Sequence, residues 1–134
     1  MSEAGLDELF TAAAAAICRY RPADAQAARA AILDIRGQDA RERDGVVPGA
    51  YHVPRTVLEW RVASREWRNT ALDGRPLILL CDHGYSSVLA AAALLQLGRE
   101  AGDVEGGFEA WRDAGLPVSR ARRWDGLPGM GPPD

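Results

Sequence analysis

Cys81 stands between two segments of opposite character, and that position makes it a candidate nucleophile. Before it runs Pro76-Leu77-Ile78-Leu79-Leu80, an unbroken apolar stretch that predicts a strand buried on both faces. After it come Asp82-His83-Gly84-Tyr85-Ser86-Ser87 and then Val88 to Leu97. That second stretch is Ala- and Leu-rich helix former, with serine at its start for a cap and Gly98 just past its end. A strand, a tight loop and a helix put the sulfur inside a ring of backbone N–H groups, against a helix N-terminus. Such a position favours thiolate over thiol and binds an anion beside it. A free thiol titrates near about pH 8.5, so a helix N-terminus has a real shift to supply before thiolate becomes the major species. The competing reading is a structural cysteine packed as a small hydrophobe, which would more often sit inside a strand or helix than at the turn between them.

Other side chains able to do chemistry are few. His52 and His83 are the two histidines. With Cys81 they could be drawn as a metal site, but structural zinc wants four ligands at recognisable spacing, so no metal is expected. His83 has two readings, a donor to a bound anion or a solvated loop residue. Arg36 could attract an anionic substrate to the site mouth or form an ion pair with Asp34 or Asp39. Ser86 and Ser87 read as the helix cap, with their hydroxyls towards the loop interior, since no histidine is placed to activate either. All sixteen basic residues are arginine, which excludes Schiff-base and lysine-base chemistry.

The elements that must position these residues follow from the pattern. Leu6 to Tyr20 predicts a helix that buries Cys18, and Pro22 opens a short helix running to Ala30. Ala31-Ile32-Leu33-Asp34-Ile35 is a strand, Asp39 to Asp44 an exposed polar turn, and Ala50 to Val53 a second short strand. Thr56-Val57-Leu58-Glu59 has capping-box spacing and opens a helix towards Arg65, with Trp60 and Trp111 both expected in the core. Trp67 and Trp124 are expected at the surface. Asn69 to Arg75 is a loop, Asp103 to Glu105 a further strand, and Phe108 and Trp111 lie on the helix after Gly106-Gly107. From Arg120 onward the chain is Arg-, Gly- and Pro-rich and predicts a disordered tail. Strands alternating with helices call for a parallel sheet with helices on both faces, and the ligand site then lies beyond the carboxyl ends of the strands. Arg36, His52 and Cys81 all fall at or near such ends.

Bulk properties exclude several classes. The chain has 134 residues, enough for one domain with a core, and a formal charge of −3 that offers no electrostatic footprint for nucleic acid. Two cysteines far apart in sequence predict no disulfide framework and a reducing, cytoplasmic setting. The apolar run from Ala12 to Cys18 is far short of the ~20 residues a membrane span needs, and the first residues lack the basic start of a signal peptide. Abundant Ala, Gly, Pro and Arg resembles GC-rich bacterial coding.

Four segments, taken in order, resemble the landmarks of the rhodanese (sulfurtransferase) superfamily. Leu33-Asp34-Ile35-Arg36 is similar to its first core strand with an Asp-x-Arg ending, and Val47-Pro48-Gly49-Ala50-Tyr51-His52-Val53-Pro54 to its Pro-Gly-Ala segment. Cys81 to Ser86, followed by Ser87 and a helix, resembles its six-residue active-site loop. Gly106-Gly107-Phe108-Glu109-Ala110-Trp111, with Gly115-Leu116-Pro117, resembles the close of the domain. The resemblance implies a single α/β domain over residues 22–118, built on a central, mainly parallel five-stranded sheet, with residues 1–21 as a leading helix and 119–134 as the tail. It implies a transferase in which Cys81 takes a sulfane sulfur from thiosulfate or a persulfide, becomes a persulfide, and passes it to cyanide, a small thiol or a protein acceptor. The loop from Asp82 through His83, Gly84, Tyr85 and Ser86 to Ser87 would hold the charged sulfur, with Arg36 as a candidate for drawing substrate in. No cofactor is implied, and no nucleic-acid or membrane partner. A non-catalytic binding module and a persulfide or redox sensor are the alternatives. A phosphatase of the Cys-x5-Arg type would need arginine where this chain has Ser87. Two departures stand out: the Pro-Gly-Ala segment lacks the histidine that usually precedes it, and Asp82 follows the nucleophile where relatives often carry basic residues. A carboxylate pointing into the pocket would disfavour a dianionic donor such as thiosulfate.

Overall fold

A computed structural model describes residues 3–134, so Met1 and Ser2, at the start of the expected leading helix, lie outside the described residues. Among the described residues five strands form one all-parallel sheet: β1 (Cys18–Tyr20), β2 (Ala31–Asp34), β3 (Tyr51–His52), β4 (Leu77–Leu80) and β5 (Ala101–Val104), in the order β1-β5-β4-β2-β3. Six α-helices accompany it: α1 (Glu3–Ala16), α2 (Pro22–Ala27), α3 (Gln38–Asp44), α4 (Leu58–Ala63), α5 (Ser86–Gln96) and α6 (Gly107–Asp113).

The sheet is central because β4 is apolar on both faces, and each face has its own cover. Leu77, Leu79 and Cys81 point into a cluster with Leu58 and Val62 of α4 and Ala90, Ala91 and Leu94 of α5. Ile78 and Leu80 point the other way, against Ala25 of α2 and Phe108 and Trp111 of α6. The two-residue alternation of the strand thus assigns Cys81 to the α5 face at the strand's carboxyl end.

Four expectations are corrected here. The leading helix stops at Ala16, and Cys18-Arg19-Tyr20 is the strand β1, with Cys18 exposed. Ile17 and Tyr20 continue the apolar spacing of the helix, but both also suit a strand, and Cys18, Arg19 and Tyr20 pair with Gly102, Asp103 and Val104 of β5. Asp39 to Asp44 is not an exposed turn: it belongs to α3, which buries Arg41 against Asp34 and Asp134. Trp60 is 57% exposed, because α4 turns Leu58 and Val62 to the core instead.

The tail is ordered against the body. Ser119 and Val46 exchange backbone hydrogen bonds of 2.9 and 2.8 Å, Arg61 Nε donates to the Pro128 carbonyl at 2.5 Å, and Asn69 Nδ2 donates to that of Gly129 at 3.2 Å. The Asp134 amide donates to Ala50 O at 2.7 Å, and the Gly49 amide donates back to Asp134 O at 2.6 Å. Composition missed this because the tail's own backbone carries the pairing, answered by buried polar side chains of the body rather than by apolar packing.

Candidate active site

Cys81 leaves the sheet at the end of β4 and the chain turns at once into the loop that opens α5. Gly84 permits the turn: it adopts φ +83, and a Cβ there would lie 2.6 Å from the Gly106 amide nitrogen. The start of the loop is seated on α6, whose first amides donate to it, Phe108 N to Cys81 O at 2.7 Å and Glu109 N to Asp82 O at 3.1 Å. Gly107, at φ +65, passes so close that a Cβ would meet Cys81 O at 2.5 Å.

This folding aims donors at the sulfur. Sγ accepts from the Gly84 amide at 3.2 Å and from the Ser87 amide at 3.4 Å, and lies 3.2 Å from Ser87 Oγ. Cys81 is only 6% exposed, and burial pushes its thiol up. The hydroxyls of Ser87 and Ser86 and the two amides outweigh that, so the thiol is more acidic than an ordinary cysteine. Ser87 does not cap the helix: the cap position is Tyr85, with no side-chain bond, and the Ser87 hydroxyl spans from Cys81 to Asp103 Oδ2, 2.7 Å away.

The other loop side chains turn outward. His83 Nδ1 pairs with Glu109 Oε2 at 2.7 Å, and Tyr85 is exposed beside Phe10, ring centroids 6.3 Å apart. Asp82 is half-exposed and faces a small pocket of about 190 Å³ that it shares with Arg43, His83, Phe108 and Arg112. Its ion-pair partner is Arg36, with Nη1 at 4.0 Å from Oδ1.

Arg36 itself is buried. Its Nε and Nη2 donate to the two oxygens of Asp34 at 3.0 and 2.9 Å, Nη2 donates to Gly45 O at 2.8 Å, and the guanidinium lies over the Phe108 ring at 4.0 Å. The ion pair with Asp34 is formed. His52 lies away from the sulfur, with Nε2 donating to Arg36 O at 2.8 Å and Nδ1 accepting from Arg41 Nη1 at 3.2 Å. Among the described residues no three His, Cys, Asp or Glu side chains converge as metal ligands, and no helix is long and apolar enough to cross a membrane.

Two residues of the site escaped the sequence reading. Asp103 of β5 is fully buried, and Arg19 sits opposite it in register on β1. Arg19 Nε and Nη2 donate to Asp103 Oδ1 and Oδ2 at 3.0 and 3.2 Å, and Nη2 also reaches the Gly84 carbonyl at 2.8 Å. A carboxylate between Gly102 and Val104 in an interior strand was a visible signal, since a buried charge demands a partner.

Comparison with known proteins agrees with this architecture. The family model described as rhodanese-like domain matches residues 20–114. A Rhodopseudomonas palustris protein of unknown function, described as a possible tyrosine phosphatase, is 30% identical, with TM-score 0.81 over 88% of this chain and 96% of its own. A rhodanese-related protein of Thermoplasma volcanium is 29% identical, with TM-score 0.58 over 74% of this chain and 97% of its own. A thiosulfate sulfurtransferase of Pseudomonas aeruginosa shares the fold at 23% identity and TM-score 0.61, over 78% of this chain but 19% of that larger one.

Proposed function

The chain belongs to the rhodanese-like domain family, and from that footing we propose that it is a sulfurtransferase carrying a sulfane sulfur on Cys81. The observation that carries the reading is the pair of amides, Gly84 and Ser87, directed at a sulfur that is buried yet acidified. A Sγ lone pair attacks the outer sulfur of the donor, and a new S–S bond forms. The donor's own bond to that sulfur breaks, and its electron pair departs with the leaving group, a thiolate from a persulfide or sulfite from thiosulfate. The terminal sulfur left on Cys81 is an anion, and the loop amides are the donors able to hold it, as an oxyanion hole would. An acceptor thiolate, of a small molecule or a protein, or cyanide, then attacks that sulfur, and Cys81 returns as thiolate. A cytoplasmic setting, where small thiols abound, suits this cycle.

Phosphoryl transfer is the weaker reading. It needs a guanidinium fork across the mouth of the loop, and the position for it is Ser87. Arg19, whose guanidinium hydrogen-bonds to this loop, reaches it at the Gly84 carbonyl and spends its fork on Asp103.

Peptide mass spectrometry after incubation with thiosulfate, and separately with glutathione persulfide, tests the proposal. A gain of one sulfur on the Cys81 peptide, lost again on adding cyanide, is expected. No gain from either donor would sink it.

A further inference from the structure

Three groups stand in line behind Cys81 Sγ: Ser87 Oγ at 3.2 Å, Asp103 Oδ2 at 2.7 Å from that oxygen, and Arg19 holding both oxygens of Asp103. Ser87 and Asp103 are fully buried. A hydroxyl has one proton to donate, and here two acceptors face it. While Cys81 is a thiol, S–H donates to Ser87 Oγ and the Ser87 proton goes to the carboxylate. Once Cys81 is a thiolate, that arrangement points an oxygen lone pair at an anion, and the hydroxyl must turn to Sγ to relieve it.

We propose that Asp103 is a positioning residue that competes with Cys81 for the Ser87 proton, so that the hydroxyl donates to Asp103 when Sγ is a thiol or carries a persulfide and to Sγ when it is a thiolate. This rests on the sulfur-transfer reading only for the persulfide state. The turn moves no proton to another atom; the thiol proton itself leaves to solvent on ionisation. Attack on the donor spends the Sγ charge, and the hydroxyl is then drawn back to Asp103, which favours the step. Asp103 thereby keeps the thiolate from being over-stabilised. Nucleophilicity falls as a thiol becomes more acidic, and the most effective attacking thiol titrates near ambient pH.

The charges facing this line are Arg19 on β1, Asp103 and then Glu105 at the end of β5, and Asp82 on the loop with Arg36 beside it. On the α6 side Glu109 is taken by His83, and α5 brings no ionisable side chain. Removing the charge of Asp103 leaves Arg19 unopposed and frees the Ser87 hydroxyl, and both favour thiolate. If Asp103 were instead a base that draws the thiol proton through Ser87, the same change would disfavour thiolate. The two ideas therefore predict opposite signs.

The test is the pH dependence of iodoacetamide alkylation at the Cys81 peptide in four proteins: Cys18→Ser as parent, and the same with Asp103→Asn, Ser87→Ala or both. In Asp103→Asn the midpoint should move to lower pH, and the plateau rate constant should fall about threefold for each tenfold gain in acidity. In the Ser87→Ala background the midpoint change caused by Asp103→Asn should be smaller by at least about twofold in ionisation constant, the size at which coupling exceeds simple additivity. An unchanged or raised midpoint, or an equal change in both backgrounds, overturns the proposal. Should Asp103→Asn not fold, the infrared S–H band of the parent at low pH decides. Ser87→Ala should move that band to higher frequency, and an unmoved band means the hydroxyl does not accept from Sγ and has no reason to face Asp103. Alkylation needs no sulfur donor, so failure of sulfur transfer leaves this result standing, and the reverse holds as well.

Discussion

Arg19 Nη2 donates to the carbonyl of Gly84 at 2.8 Å, so the tip of the active loop is tied to the edge strand of the sheet. The same guanidinium neutralises Asp103, which is fully buried. Arg19→Gln should then do two things. Stability should fall by about 2–3 kcal/mol in urea titration, somewhat under the cost of breaking a wholly buried pair because Arg19 is partly exposed. The Cys81 alkylation midpoint should rise, since Asp103 would be left as an unopposed anion beneath the sulfur. A variant as stable as the parent would mean that water replaces the guanidinium at Asp103.

Gly107 is one of the α6 residues that touch the loop. Its φ of +65 and the 2.5 and 2.7 Å approaches of a hypothetical Cβ to the Cys81 and Asp82 carbonyls leave no room for a side chain. Gly107→Ala should cost about 1–3 kcal/mol and displace the loop from α6, with sulfur loading of Cys81 lost before the fold is. Full loading with unchanged melting would show that the loop does not depend on this seat.

Asp82 lies 4.0 Å from a buried arginine whose Nη1 has no hydrogen-bond partner. Asp82→Asn uncovers that positive charge next to the pocket, so thiosulfate should bind more tightly. The expected fall in KM is about two- to fivefold, in the range of a partly exposed ion pair, and it should shrink as salt is added. The KM for an uncharged-tail persulfide should change less. A thiosulfate KM that is unchanged at low salt would place Asp82 outside the donor's path.

What the sequence disclosed was the part encoded by continuous patterns. The apolar run Pro76 to Leu80 reads as an interior strand and the Ala/Leu stretch after Ser87 as a helix, so Cys81 and its loop follow from local chemistry. The partnership of Arg19 with Asp103 spans 84 positions and depends on β1 and β5 being neighbours, which no local pattern reports. Local pattern extends the leading helix over Cys18 to Tyr20, because Ile17 keeps the spacing set by Leu6 and Leu9. The residue type of Ser87 suggests a cap; its bond to Asp103 depends on long-range placement of β5. The order of the tail is invisible to hydropathy, which does not count backbone carbonyls answered by Arg61 and Asn69.

His52 joins the tail to the site's underside, and it should make that joint sensitive to acid. Burial holds the ring below the usual histidine range and the nearby Arg41 charge adds to this, against the Arg36 carbonyl, which favours the proton. Nδ1 accepts from Arg41 at 3.2 Å, and Arg41 in turn pairs with Asp134 of the tail. A proton on Nδ1 would set two cations against each other. Because the folded-state value is depressed, the stability of the neutral ring is fully present above the unfolded value of about 6.5 and is lost as pH falls from there through the folded value. Urea stability should therefore decline as pH drops below about 6.5, together with loss of hydrogen-exchange protection at the Asp134 amide. His52→Gln keeps a donor for Arg36 O without a group that titrates, so its stability should be flatter over the same interval. Identical slopes in the two proteins would assign the acid response to the carboxylates and remove His52 from it.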